Sequence, residues 1–147
     1  LIRDFGANPT PLAYGEVFSA LQTRLIDGAE NNIKSFHSSR QFEAAHYWSN
    51  TVHSYAPDVL VMSKRRFDSL DPPDSERLQR LAAESVGIMR RLWDETAGAS
   101  LQALKAADLR INDVDLAAFR KASMPVLRAY RRDPGIDGLY RAIRAMA

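Results

Sequence analysis

Asp71-Pro72-Pro73-Asp74 reads as the start of a helix, and the apolar spacing behind it makes that helix unusually long. An Asp caps helix N-termini well, and prolines fit a first turn because the N–H groups they lack have no intrahelical partner there. Acids also favour the positive end of the helix dipole. Apolar residues then recur at Leu78, Leu81, Ala82, Met89, Leu92, Trp93, Leu101 and Leu104. The spacing predicts one helix of roughly 30 residues ending near Ala107, against a mean near 12. Gly98 inside it marks an expected bend. A compact globule of 147 residues is narrower than such a helix is long, so the helix is best accommodated by bridging two lobes.

Upstream, Leu1 to Phe5 looks like the last turn of a helix stopped by Gly6, so further residues are expected ahead of Leu1. No charged-then-apolar export pattern opens the chain, and no signal peptide is read in it. Asn8-Pro9-Thr10-Pro11 is extended, because each Pro removes a donor and restricts its predecessor. A helix is expected from about Tyr14 to Thr23, with Val17, Leu21 and Leu25 on one face, and Ile26 to Asn32 as a turn or short strand. Residues 33–47 suggest short helical pieces. Thr51–Ala56 and Val59–Met62 are read as strands parted by Pro57-Asp58.

Arg65–Leu70 is read as a short helix and Leu109–Ile111 as a strand. Asn112 or Asp113 is then expected to cap a helix from about Val114 to Arg132, bent at Pro125. Asp133-Pro134-Gly135 is a turn, and a final amphipathic helix runs to Ala147, with the natural terminus expected nearby. The class is α/β with more helix than strand.

Composition narrows the function. With 46% hydrophobic and 26% charged residues the chain is neither disordered nor low-complexity. Its apolar runs fall well short of the roughly 20 residues that span a bilayer. The absence of cysteine excludes a disulfide scaffold, a Cys-ligated zinc site and thiol catalysis. His37, His46 and His53 form no i, i+4 pair, so no metal site is read from them. No nucleophile elbow, dinucleotide fingerprint or phosphate loop is present, and the chain is read as no enzyme, with no cofactor.

Residues 120–147 carry seven basic and two acidic side chains. Clustered cations of this kind suit phosphate binding, which keeps a basic helical nucleic-acid module as an alternative. The favoured reading is a solvated helical face and no nucleic acid. The segment from Ala7 to Asn32 holds more signal, with Tyr14 on a helix and Asp27, Glu30, Asn31 and Asn32 close behind. An aromatic face beside an amide that both donates and accepts is a common way to hold a polar small molecule. The same residues also read as a turn followed by helix-capping asparagines. Composition alone gives that second reading the edge.

Gly6-Ala7-Asn8-Pro9-Thr10-Pro11 followed by Asp27-Gly28-Ala29-Glu30-Asn31-Asn32 changes the balance. These runs, with Ser35-Phe36, Ser38-Ser39-Arg40, His53-Ser54-Tyr55-Ala56-Pro57-Asp58-Val59-Leu60 and the long Trp93 helix, resemble the DctP-type solute-binding proteins of tripartite ATP-independent periplasmic (TRAP) transporters. The resemblance covers essentially the whole chain. It implies a type II, periplasmic-binding-protein-like two-lobed fold, of which this chain resembles the C-terminal half. Residues 1–56 would belong to the second lobe, 57–96 to the first, and 97–147 to the second again, with the long helix spanning both.

The function so implied is that of a periplasmic receptor that binds an organic acid and delivers it to a membrane permease. The Glu-Asn-Asn and His-Ser-Tyr-x-Pro-Asp segments are most similar to members that take sugar acids, with C4-dicarboxylates and aromatic or keto acids also open. By the same resemblance Tyr14 matches an aromatic that packs on the ligand, and Asn31 matches a ligand-binding asparagine. His53 matches a position close to the cleft, and Glu30 and Asn32 match ligand contacts or the support behind them. The family's carboxylate-clamping arginine would precede Leu1, and Arg3 is not its substitute. A structural fragment that binds no ligand is the remaining alternative, and self-association through exposed apolar surface is expected of a half-protein.

Overall fold

The computed structural model describes residues 1–146. Its elements in chain order are α1 (Val17–Gln22), α2 (Ile33–Ser38), β1 (Tyr47–Ser49), α3 (Lys64–Phe67), α4 (Pro72–Ala106), β2 (Arg110–Asn112), α5 (Leu116–Tyr130) and α6 (Pro134–Ala145). Short 3₁₀ turns occupy Arg3–Phe5, Tyr14–Glu16 and Gln41–Glu43. The chain divides into two compact units. One comprises Leu1–Glu16, Trp48–Tyr55 and the chain from Ile111 onward. The other comprises Val17–Tyr47 and Ala56–Arg110.

The second of these units holds the core. Ala20, Leu21, Phe36, Gln41, Ser100, Leu104 and Leu109 are all buried, with Leu104 at 0% exposure. Ala20 and Leu21 lie on α1, which packs on the Gln41–Glu43 turn, while Phe36, Ser100 and Leu104 lie on α2 and α4, which pack together. His37 Nδ1 and the Ser100 hydroxyl, 3.2 Å apart, tie the same two helices together. Farther up α4, Lys34 places its ammonium 4.5 Å from the Trp93 ring centroid, a cation–π contact that covers one face of the indole.

Helix α4 runs for 35 residues from the Asp71 cap position, where the Asp71 side chain makes no capping hydrogen bond and the prolines occupy the first turn, through Gly87 and Gly98. It ends in a Schellman motif: Leu109 N–H donates to the Leu104 carbonyl, Asp108 N–H to that of Lys105, and Asp108 takes the left-handed conformation at φ +58°. Between Leu78 and Leu92 the helix's larger aliphatic residues are 38–50% exposed. The apolar repeat that predicts the helix therefore meets core only at its C-terminal end.

In the first unit, Phe5 is the centre of a small aromatic cluster. Its ring lies edge-on to His53 at 5.6 Å and to Phe119 at 5.0 Å between centroids. Gly6, at φ +83°, turns the chain away behind it, a conformation that glycine adopts without a Cβ penalty. Helices α5 and α6 start from side-chain caps. Asp115 accepts from the N–H groups of Ala117 and Ala118, and Asp133 from those of Gly135 and Ile136.

Several expected elements differ. The strands expected at Thr51–Ala56 and Val59–Met62 do not form. A strand needs a ladder partner, and Val59, Leu60 and Val61 stand 75–79% exposed. Among the described residues, strand structure is confined to the β1–β2 ribbon. Helix α1 ends at Gln22 because Arg24 adopts φ +59° and closes a Schellman motif, with Leu25 N–H on the Ala20 carbonyl, so Leu25 is exposed and not on the buried face. The cap of α5 is Asp115, not Asn112 or Asp113: Asn112 belongs to β2 and donates its amide to the Ser49 hydroxyl. The expected run of the last helix to Ala147 ends outside the described residues.

Candidate functional site

Tyr14 opens the 3₁₀ turn that comes after the Pro9–Pro11 stretch, and its ring is more than half exposed. The turn is closed by Glu16, which donates its N–H to the Ala13 carbonyl and accepts from the Ala13 N–H through its carboxylate. This local ring of bonds fixes where the Tyr14 side chain leaves the backbone.

His53 lies in the same unit on an extended segment. Its Nδ1 is 2.6 Å from the Thr51 hydroxyl, and its ring stands nearly perpendicular to Phe5. Between these residues Val52 adopts φ +47°, a left-handed conformation rare for a β-branched side chain. Thr51 and His53, with Leu116, Phe119, Arg120 and Ser123, line a cavity of about 140 Å³. That is smaller than the roughly 300–1,000 Å³ of a typical small-molecule site. Tyr14 is not among the lining residues.

Glu30, Asn31 and Asn32 sit in the other unit, on the loop that enters α2. Asn32 is the helix cap: its side-chain oxygen accepts from Ser35 N–H at 2.8 Å. Asn31 is half-buried, accepts from the Asn32 N–H at 2.9 Å, and donates its amide to Gln41 Oε1 at 3.1 Å. Glu30 is exposed at the start of this loop. Asn32 thus serves the helix, as the capping reading expects. Asn31, one residue earlier, caps nothing and is held beside it.

Among the described residues no group of three or more His, Asp or Glu side chains is arranged to hold a metal ion. The His37–Ser100 pair resembles a base beside a nucleophile, yet Ser100 is buried in the α2–α4 packing. Of the seven C-terminal cations, Arg131 and Arg141 are committed to Asp137, at 2.5 and 2.7 Å. The hydrogen bond from Arg131, assisted by the charges of Arg131 and Arg141, holds the Asp137 carboxyl below its ordinary value although burial pushes it up. Arg131 also stacks 4.3 Å over Tyr140.

Gln41, Thr51 and Phe5 carry no mark of their roles in the sequence. Gln41 sits in a polar stretch, Arg40-Gln41-Phe42-Glu43, where nothing local signals a buried amide. Arg40 at φ +58° turns the chain so that Gln41 points inward.

The chain matches the family described as bacterial extracellular solute-binding protein, family 7, over residues 1–133. A solute-binding protein of Chromohalobacter salexigens is 36% identical over 146 residues, which are 98% of this chain and 44% of that protein. A TRAP periplasmic solute-binding protein from Bradyrhizobium sp. BTAi1, solved in complex with D-galacturonate, superposes with a TM-score of 0.91 at 44% identity, covering 98% of this chain and 48% of the other. One from Chromohalobacter salexigens with bound D-glucuronate gives 0.94 at 35%, covering 99% and 49%. The chain therefore spans about half the length of the relatives it matches.

Proposed function

The chain belongs to the bacterial extracellular solute-binding protein family 7, and from that membership we infer that it is part of a TRAP transporter's solute receptor, one that takes a hexuronate-type sugar acid. The observation that carries this reading is the pair of similar structures holding galacturonate and glucuronate, each matching nearly the whole chain. The family is one of solute-binding proteins, and the work asked of its residues is recognition.

A hexuronate offers a ring of hydroxyls, each both donor and acceptor, and one carboxylate. Asn31 supplies both an N–H donor and an oxygen acceptor in one rigid plane. Tyr14 supplies an exposed aromatic face for the ring carbons, and His53 a polar edge braced by Thr51 and Phe5. Glu30 and Asn32 flank Asn31 as ligand contacts or as the loop that holds it. The receptor works outside the cytoplasmic membrane and passes its acid to the permease. We assign residues 1–56 and 97–147 to one lobe of the full receptor and 57–96 to the other, a division that differs from the two compact units of this chain by itself, and ligand binding favours the closed arrangement by its differential affinity. The exposed apolar residues Val59–Met62 favour self-association of the 147-residue chain by itself.

A thermal-shift panel on the full-length gene product tests this. D-galacturonate and D-glucuronate should raise the melting temperature, and D-galactose and D-glucose should not. Equal shifts from the neutral sugars, or none from any acid, would remove the sugar-acid assignment.

A further inference from the structure

We propose that Gln41 is a positioning residue that holds the Asn31 amide in the orientation its bond from the Asn32 N–H sets, and with it which ligand groups Asn31 can recognise. The inference rests on the receptor reading above.

An amide side chain can be turned over, exchanging its oxygen and nitrogen, unless its partners decide between them. The Asn32 backbone N–H can only donate, and it lies 2.9 Å from one end of the Asn31 amide. That end must be oxygen. The other end is then the NH₂ group, and 3.1 Å from it stands the Gln41 side chain. Gln41 must therefore present its own oxygen, so the backbone bond sets both amides in turn.

Burial makes the arrangement stiff. Gln41 is 1% exposed, so its own end of the bond is shielded from water. Turning Asn31 over would set its NH₂ against the Asn32 N–H, and its oxygen against the Gln41 oxygen unless Gln41 turned with it. A buried amide left without its partner is costly. Held this way, Asn31 keeps one N–H and one lone pair for a ligand, in a fixed order along the loop. A ligand carboxylate oxygen is then accepted only on the N–H side.

The test is a double-mutant cycle on the full-length gene product, with D-galacturonate and D-glucuronate as probes. Gln41→Met keeps the length and removes the acceptor; Gln41→Glu keeps an acceptor whether or not it is ionised. Q41M should weaken uronate binding by roughly tenfold. Q41E should retain affinity to within about threefold, as rescue by a side chain that still accepts. In the background of Asn31→Ala, Q41M should cost nothing further, because its effect passes through Asn31. Additive losses in the cycle would show a purely structural role and overturn the proposal. If Q41M does not fold, Q41E decides alone: a loss beyond about tenfold overturns the role, and retention within about threefold upholds it. Absence of uronate binding by the unsubstituted protein is a different failure, which removes the receptor reading and this inference with it.

Discussion

The Thr51 hydroxyl lies 2.6 Å from Nδ1 of His53, a bond between side chains two residues apart that brackets the left-handed Val52. It holds the imidazole edge-on to Phe5 and sets one wall of the cavity beside α5. Replacing Thr51 by Val keeps the shape and removes the hydroxyl. T51V should lower stability by about 1 kcal/mol, while Thr51→Ser, which keeps the hydroxyl, should lose less. Chemical denaturation of the two variants measures the difference.

Asn32 caps α2, and that role makes its own prediction. Asn32→Ala should cost about 1 kcal/mol, and Asn32→Asp or Asn32→Ser should recover most of it, since each keeps an oxygen for the Ser35 N–H. Denaturant midpoints of the three variants read this directly. A loss that Asp and Ser fail to restore would mean that the amide nitrogen matters as well.

The contrast between Asn31 and Asn32 shows how far local sequence reaches. The pair suggests both a cap and a binding amide, but it takes the backbone geometry to say which residue caps. Local signals do well where local physics decides: Asp71-Pro72-Pro73 starts α4, and Gly6 stops the first turn. They fail at Val59–Met62, because a β pattern specifies a strand only if another strand lies alongside. They also miss Asp115 as the cap of α5, since the pairing of Asn112 with Ser49 across the ribbon delays the helix start. Gln41 is invisible for a related reason. Its burial depends on tertiary packing, which no short window contains.

Asp137 gives a pH dependence. Its carboxyl is held below the ordinary 3.8, first by the Arg131 hydrogen bond and further by the Arg131 and Arg141 charges. A depressed folded-state pKa stabilises the fold above the unfolded value, and that contribution disappears as pH falls through the lower folded one. The wild-type protein should therefore lose stability below about pH 4. Asp137→Asn, which cannot ionise, should be less stable near neutrality and fall less steeply in acid. Denaturation midpoints near neutral pH and at about pH 3 separate the two curves. Parallel curves would show that the pair contributes nothing.

Isothermal titration of D-galacturonate into the full-length gene product and its Asn31→Ala variant puts the receptor assignment at risk in a single experiment. Saturable one-to-one binding by the wild type is expected, with a loss of about tenfold or more when the Asn31 amide is removed. Binding unchanged by N31A would take Asn31 out of the site. No binding of this or any other sugar acid by the wild type, with the protein folded, would contradict the assignment of this chain to a sugar-acid receptor.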